Sequence, residues 1–395
     1  MKAQRFNFAK MIAAGLRCLV AGVFLLAAPA FAGEPVFTLA SDSEARWVGF
    51  ELTPHNQIRF TLELDGVPIP AILDTAVSNS AISRDQAARM KLKTRGEGSA
   101  AAIGGTLGIE WAAARSIAFG GLRRTGGTLA VIDVSAAATG RDAAAAMLVG
   151  ADLVAGYALE IDYPSRRFRL LQSGRMPFTG ARAPLRIGTG RRFYLTDMEL
   201  DGRHVRPMMI DTGDGGTVTV AGEVWVPPGT TLRLTSTMSH GLAGPAVADL
   251  TVLREVTLGA LAARDVELSI ERADGYSRRI GVAGRIGSGF LRHYRVLLDP
   301  TAGQMLLSPG PDADAPPVRS TSGLLVERQA DALVVLHVMK GGPADSAGWR
   351  EGERICSVDG ITPPGGDWPA GKPGRTVALG LCGGETRTLK LAAFY

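Results

Sequence analysis

The sequence is poor in the residues from which metal centres and nucleophilic sites are usually built. Its 395 residues include three cysteines and five histidines, and these form neither a His-Glu-x-x-His motif nor a paired-cysteine pattern. The motifs Gly-x-Ser-x-Gly and Gly-Asn-Ser-Gly-Gly are absent, which argues against a serine hydrolase. The glycine-containing stretch at 186–192 lacks the lysine and the helix of a phosphate loop. We therefore expect no metal and no cofactor.

The only long apolar run of the sequence lies near its N-terminus. This run, LVAGVFLLAAPA, leads into Ala30-Phe31-Ala32, the A-x-A arrangement that a signal peptidase needs. The basic residues before it are Lys2, Arg5, Lys10 and Arg17. We predict a signal peptide over residues 1–32, cleaved after Ala32, and a periplasmic or secreted protein. The alternative is an uncleaved membrane anchor, although the run is shorter than the ~20 apolar residues that a membrane span requires.

The mature chain offers few features for charged or membrane partners. Loss of residues 1–32 removes four basic and no acidic residues, which lowers the formal net charge from +5 to +1. No block of lysine and arginine remains for nucleic acid, and no second apolar run remains for a stable membrane span. Cys356 and Cys382 remain in an oxidising compartment, where a disulfide and two buried free thiols both fit the sequence.

The rest of the sequence is patterned as strands and turns. Runs such as IRFTLEL and FYLTDMEL alternate or cluster β-forming residues, and 50 glycines interrupt the chain. Helical patterns are scarce, and the best short candidates are RDQAARMKL and the alanine-rich RDAAAAMLV. The sequence therefore predicts an all-β protein.

One block of this pattern occurs twice. ELDGVPIPAILDT at 63–75 matches ELDGRHVRPMMIDT at 199–212, so that Asp74 corresponds to Asp211 at an offset of 137 residues. Four further pairs share this offset: Gly104 and Gly241, Gly150 and Gly287, Tyr157 and Tyr294, Asp162 and Asp299. The common offset predicts two homologous β lobes, at 33–180 and 181–308.

Each copy of the block ends an apolar strand on an aspartate, where a lone buried carboxylate would be costly. If the lobes pack about a pseudo-twofold axis, Asp74 and Asp211 meet, and each becomes the other's partner. Two carboxyls about 3 Å apart share one proton, so that one acts as a base toward water and the other as an acid toward a carbonyl. The aspartate pair, Asp74 and Asp211, could thus hydrolyse an amide without a metal.

LDTAVSNSAIS and IDTGDGGTVTV resemble the apolar-Asp-Thr-Gly signature of aspartic proteases of the retropepsin and pepsin type. LVG and RIG are similar to the downstream apolar-apolar-Gly element of that family. The resemblance implies a bilobal all-β body with a central cleft, a peptide or protein substrate, and a monomer that carries both lobes. It implies Asp74 and Asp211 as catalytic residues, with Thr75 and Thr212 tying their loops together by hydrogen bonds. The implied flap residues, from AAIGGTLG and SHGLAGP, are Ile103, Gly104, Gly105, Gly241 and Leu242.

Two positions depart from the family pattern. Ala76 stands where the family has glycine, as at Gly213 of the second copy, and its Cβ can strain a tight loop. Asp214 follows the second triplet, where its charge would raise the pKa values of the aspartate pair or would point outward. Two hypotheses follow, namely an aspartic endopeptidase and a catalytically impaired protein that binds extended peptides in the same cleft.

A third region, at 320–395, follows a linker at 309–319. SGLLVERQ and GGPADSAGWREGERICSVDG resemble a PDZ domain of the bacterial type. The resemblance implies a loop that receives a protein C-terminus, formed by Ser322, Gly323, Leu324 and Leu325, and a following edge strand for β-augmentation. The segment ITPPGGDWPA, where such domains place a helix, is too rich in proline and glycine for a helix of useful length. We expect this segment to weaken the peptide groove more than the fold.

Overall fold

The computed structural model describes residues 33–134, 145–189, 192–225, 232–329, 331–362 and 372–395. Within these ranges thirty strands form four sheets, which confirms the predicted all-β class. The predicted signal peptide at 1–32 lies outside the described residues. None of the helices in the described ranges is long and apolar enough to cross a membrane.

The helices are short. They are α1 (Arg84–Arg89), α2 (Ala151–Val154), α3 (Tyr276–Ile280), α4 (Ser288–Leu291), α5 (Pro343–Ser346) and a 3₁₀ turn at Ser43–Ala45. The helix predicted in RDQAARMKL is present as α1, and the Ser83 hydroxyl accepts from Gln86 N–H at its start. The prediction for RDAAAAMLV is wrong at its end, where Met147–Val149 is a strand. Its residues 141–144 lie outside the described ranges.

The first sheet carries Asp74 at the end of β5. Its spatial order is β1 (Val36–Leu39), β10 (Leu122–Thr125), β9 (Ser116–Phe119), β4 (Ile58–Leu64), β5 (Val67–Leu73), β12 (Met147–Val149), β6 (Ala81–Ser83), β11 (Thr128–Ile132), β8 (Gly105–Ala113) and β7 (Thr94–Ala102), with β3 (Glu51–Leu52) paired to β4. β5 pairs in parallel with β12. A strand in such a position is covered on both faces, which explains the continuous apolar run Ala71-Ile72-Leu73.

The second sheet carries Asp211 at the end of β18. Its order is β16 (Arg186–Ile187), β17 (Tyr194–Leu200), β18 (Arg203–Asp211), β23 (Gly284–Gly287), β19 (Val218–Val220), β22 (Leu261–Ile270), β21 (Gly244–Leu258) and β20 (Thr235–Gly241). β18 pairs in parallel with β23, in the register Met209 to Arg285. The first sheet has the register Ile72 to Leu148 between β5 and β12. The two strand pairs are therefore equivalent at the 137-residue offset.

The third sheet joins the first two. Its order is β15 (Ala181–Pro184), β25 (Gln304–Pro309), β24 (Tyr294–Asp299), β13 (Ala158–Asp162), β14 (Arg167–Leu171) and β2 (Val48–Gly49). One apolar cluster runs through all three sheets, and Leu73, Leu159, Ile210 and Leu298 within it are fully buried. Because each buried leucine or isoleucine contributes about 1.5–3 kcal/mol, this shared core holds the ends of β5 and β18 in fixed positions.

The fourth sheet has a core of its own. Its order is β26 (Leu324–Gln329), β27 (Ala332–Val338), β28 (Arg354–Val358), β29 (Thr376–Leu381) and β30 (Thr386–Lys390). Its buried cluster includes Leu333, Trp349 and Ile355. Cys356 and Cys382, which the sequence left open, form a disulfide with a Cα–Cα distance of 4.9 Å. Of the segment ITPPGGDWPA at 361–370, where the sequence predicts no helix of useful length, residues 363–370 lie outside the described residues.

The fourth sheet packs on the second through a polar chain. The Ser236 hydroxyl lies 2.8 Å from His337 Nε2, and His337 Nδ1 lies 2.8 Å from Glu351 Oε1. The Thr235 hydroxyl donates to the Lys340 carbonyl at 2.8 Å. Because Ser236 and His337 are both buried, these directional bonds fix how the fourth sheet docks.

Candidate active site

Two buried threonines hold the loops after β5 and β18 together. Thr75 N–H donates to Thr212 Oγ1, and Thr212 N–H donates to Thr75 Oγ1, both at 3.1 Å. The two hydroxyls donate in turn to carbonyls of the opposite strands, Thr75 to Ile210 at 2.7 Å and Thr212 to Leu73 at 2.8 Å. Both side chains are fully buried, and every donor is satisfied. Asp74 and Asp211, which precede them, are thereby brought together within one chain.

Each aspartate is fixed by amides of its own loop. Asp74 Oδ1 accepts from Ala76 N–H at 3.0 Å, and Asp211 Oδ1 accepts from Gly213 N–H at 3.1 Å and from Asp214 N–H at 2.9 Å. Both aspartates line a cavity of about 2520 Å³. One oxygen of each carboxyl is therefore oriented by backbone, which positions the carboxyls toward the cavity.

Burial raises the pKa of both aspartates, so that each holds its proton more tightly than an exposed aspartate does. It raises the pKa of Asp74 to about 6, against the opposing effect of the Ala76 hydrogen bond, and the charge of Asp214 adds to the rise. Burial also raises the pKa of Asp211 well above its usual value, with further rises from the charges of Asp74 and Asp214, while Arg285 opposes them. The pair thus retains a proton at pH values where an exposed aspartate is fully ionised.

The loop accommodates Ala76 without the backbone strain that a left-handed conformation would cause. Ala76 is not among the residues with positive φ, and it packs in an apolar cluster with Phe193, Met209 and Ile280. Gly213, at the equivalent place, is different, because a Cβ added there would collide with the carboxyl group of Asp74. Glycine is therefore needed in one loop and dispensable in the other.

Asp214 points inward rather than to solvent. Its Oδ2 lies 3.1 Å from Nε of Arg285, and Nη1 of Arg285 lies 2.6 Å from Oε1 of Glu271. Arg285 is 3% exposed, and its Nε is 3.7 Å from Oδ2 of Asp211. Although burial acts to lower the pKa of Arg285, the three surrounding carboxylates raise it. We call Asp214, Arg285 and Glu271 the ion cluster.

The sequence reading missed Arg285 and Glu271. The available signal was that RIG carries an arginine where LVG carries Leu148, so that two unusual residues, Asp214 and Arg285, occur in the same copy.

In the described part of the chain no cluster of His, Cys, Asp and Glu has a geometry that could hold a metal ion.

The predicted flap residues meet over the cavity. They lie at the tips of the hairpins β7–β8 and β20–β21. Ala243 N–H donates to the Ile103 carbonyl at 3.1 Å. A Cβ on Gly104 would collide with the backbone of Gly244, and one on Gly241 would collide with Ile103. The glycines thus allow the two tips to cross closely.

Arg279 of α3 holds the first hairpin. Its Nη2 donates to the Ala102 carbonyl at 2.7 Å and to the Gly105 carbonyl at 3.3 Å, on either side of the tip. Leu242 of the second tip packs against apolar residues of the first sheet, among them Trp111 and Ile132. The tips of the two hairpins, which we call the roof of the cavity, are therefore held in place by contacts with both sheets.

In the fourth sheet, the loop predicted to bind a carboxylate has two backbone amides that already donate hydrogen bonds to serine hydroxyls. Gly323 N–H donates to Ser320 Oγ, and Leu324 N–H donates to Ser322 Oγ, both at 3.1 Å. Leu325 packs near Leu250 of the second sheet. The strand β26 lies at the edge of its sheet and lines the same cavity as the aspartates.

Comparison with known proteins points to the residues around the first aspartate. A family model described as "Aspartyl protease" matches residues 60–153, which include Asp74, Thr75 and the first hairpin. Among solved structures, basic 7S globulin from soybean is similar at 11% identity and a TM-score of 0.38, over 66% of this chain and 95% of that chain. No curated protein matches. Residues 60–153 are therefore similar to an aspartyl protease, which supports a protease-like function.

Proposed function

We propose that this protein is an exported, monomeric aspartic endopeptidase that hydrolyses peptide bonds with Asp74, Asp211 and an activated water. The observation that carries the proposal is the pair of reciprocal hydrogen bonds between Thr75 and Thr212. These bonds bring both aspartate loops of one chain to one cavity, which supports a monomeric enzyme.

The reaction uses the single proton that the aspartate pair retains. The ionised carboxyl takes a proton from water, whose oxygen attacks the peptide carbonyl carbon, while the other carboxyl donates its proton to the carbonyl oxygen. Collapse of the tetrahedral intermediate breaks the C–N bond. The leaving nitrogen takes up the proton that came from water, and a hydroxyl of the intermediate returns a proton to the carboxyl that had donated one, which restores the singly protonated pair. The raised pKa values of both carboxyls support this role, because one proton must be present at the working pH.

The roof over the cavity fits an extended polypeptide. The hairpin tips at Ile103 and Leu242 contact each other and line the cavity of the aspartates, which favours entry of a substrate along the cavity. The hairpins cover the bound peptide, which limits the access of bulk water and orients the scissile bond. The substrate class is therefore a peptide or an unfolded protein segment.

The fourth sheet serves as a PDZ-like docking module in this proposal. Its edge strand, β26, lines the cavity that contains the aspartates. This position favours pairing of a substrate segment with β26 as a further strand of the sheet. The amides of Gly323 and Leu324 already bond to serine hydroxyls. We therefore expect docking of an internal segment to be stronger than capture of a C-terminal carboxylate.

Export is the remaining part of the proposal. The disulfide between Cys356 and Cys382 supports an oxidising compartment. N-terminal sequencing of the exported protein should give a start within about two residues of Gly33. An exported protein that still begins at Met1 contradicts cleavage.

The decisive assay incubates the mature protein with a mixed peptide library across pH, with and without a statine-type inhibitor. We expect cleavage that the inhibitor blocks, and no cleavage by Asp74→Asn or Asp211→Asn. A parent protein that binds peptides in the cavity but cleaves none supports the alternative hypothesis of a peptide-binding protein. Cleavage that the Asn variants retain would assign hydrolysis to other residues.

A further inference from the structure

The ion cluster lies on one side of the aspartate pair, beside Asp211. Arg285 is held by Asp214, by Glu271 and by the Ser277 hydroxyl, which lies 2.9 Å from its Nη1. The Tyr276 ring lies 5.2 Å from the guanidinium carbon. The Nε of this guanidinium lies 3.7 Å from Oδ2 of Asp211.

The equivalent positions beside Asp74 are apolar. Val77 corresponds to Asp214, because Ala151 N–H donates to the Val77 carbonyl at 2.8 Å just as Ser288 N–H donates to the Asp214 carbonyl at 2.7 Å. Leu148 corresponds to Arg285 by strand register. Val77 packs against the apolar cluster that contains Leu148. A buried ion pair thus takes the place of an apolar contact, at the same backbone positions.

We propose that Arg285 and Asp214 are positioning residues of the aspartate pair, which together set the pH range in which the pair holds a single proton. The inference rests on the proposed function. The charge of Asp214 acts on both carboxyls, and Arg285 opposes it at Asp211, because its Nε lies 3.1 Å from Asp214 Oδ2 and 3.7 Å from Asp211 Oδ2. A buried ion pair of this kind is costly to assemble and adds little stability compared with apolar residues, which favours a role in the chemistry.

Glu271, Tyr163 and His55 are further ionisable residues around the pair and the ion cluster. Glu271, at the end of β22, bonds to Arg285 and to Ser277 N–H. Tyr163, beside Ser288, stays neutral because burial raises its pKa. His55, in the turn before β4, lines the cavity, and burial lowers its pKa. The charges that act on Asp74 and Asp211 are therefore each other, Asp214 and Arg285.

Two substitutions should move the pH range in opposite directions. Asp214→Asn removes the like charge and keeps the size of the side chain, so that both limbs of the pH–rate profile should move to lower pH by about one unit. Arg285→Leu, which restores the residue found at Leu148, leaves Asp214 unopposed and should move the limbs to higher pH. The double variant Asp214→Val with Arg285→Leu copies the apolar pair and should fall between the two.

The control is Arg169→Met, which removes one of the two arginines that pair with the buried Glu160 in the third sheet, at 2.8 Å. It should lower the melting temperature and leave the pH limbs in place. Identical limbs in the parent and in Asp214→Asn would overturn the inference while leaving the proposed function intact. If the parent cleaves nothing, the proposed function fails, and the inference is decided by carbon-13 NMR titration of the carboxyls. There the midpoints of Asp74 and Asp211 must fall in Asp214→Asn, and unchanged midpoints overturn the inference.

Discussion

The loops after β5 and β18 share one backbone plan and differ in the side chains around it. In both, an apolar strand delivers an aspartate, a threonine bonds across to the other loop, and a loop amide binds the aspartate. Around Asp74 the neighbours are Val77 and Leu148, whereas around Asp211 they are Asp214 and Arg285. The comparison shows that a symmetric backbone can bring two carboxyls together while its side chains give them different electrostatic surroundings.

The largest expected effect tests what the two loops share. Asp74→Asn, Asp211→Asn and the double variant should each lower kcat by about 10⁴-fold or more, because residues that act as one unit are not additive. Peptide-cleavage rates of the three variants and the parent provide the measurement. A single variant with much more residual activity than the double variant would show that the carboxyls work independently.

The next effect tests the difference between Gly213 and Ala76. Gly213→Ala should lower kcat by about 10²-fold, because the added Cβ collides with the Asp74 carboxyl and misplaces it. Ala76→Gly should leave the rate unchanged or raise it, since Ala76 needs no left-handed backbone. Equal losses in the two variants would contradict the asymmetry of the loops.

A third effect tests the cost of the ion cluster. Arg285→Leu should lower the free energy of unfolding by about 3 kcal/mol, because it leaves the largely buried carboxylates of Asp214 and Glu271 without their partner. The double variant with Asp214→Val should recover part of this loss. Urea unfolding at pH 7 gives the values, and a double variant less stable than the single one would contradict the pairing.

The smallest effect is a pH dependence of stability. Because the folded pKa of Asp74, about 6, exceeds the reference value of 3.8, the parent loses stability as pH rises between these values. The Asp74→Asn variant has no ionisable group at this position. Its free energy of unfolding at pH 7 should therefore be about 1–3 kcal/mol higher than that of the parent. The difference should vanish below about pH 4. Melts of both proteins from pH 3 to pH 8 check the sign.

Much of this arrangement follows from the sequence. The repeated block identifies the two aspartates, the two threonines and the two hairpins, because each lies at a fixed place in a repeated strand pattern. The strand Met147–Val149 could not be predicted from the sequence. The alanine-rich residues before it favour a helix, whereas its position between β5 and β6 in the sheet requires a strand.

What the sequence could not predict depends on distances between remote segments. Asp214, Glu271 and Arg285 come from three different elements, and only the folded sheet brings them within ion-pair distance. The disulfide likewise depends on a Cα–Cα separation that no spacing rule supplies. The bond from Gly323 N–H to Ser320 depends on the course of one loop.

The central claim is that one chain holds a complete aspartate pair, and active-site titration tests it most directly. A tight statine-type inhibitor is added stepwise to a known concentration of the mature protein while peptide cleavage is followed. The account predicts that activity reaches zero at one inhibitor per chain, at any protein concentration. One inhibitor per two chains, or activity that falls on dilution, would show that the site forms between chains and would contradict it.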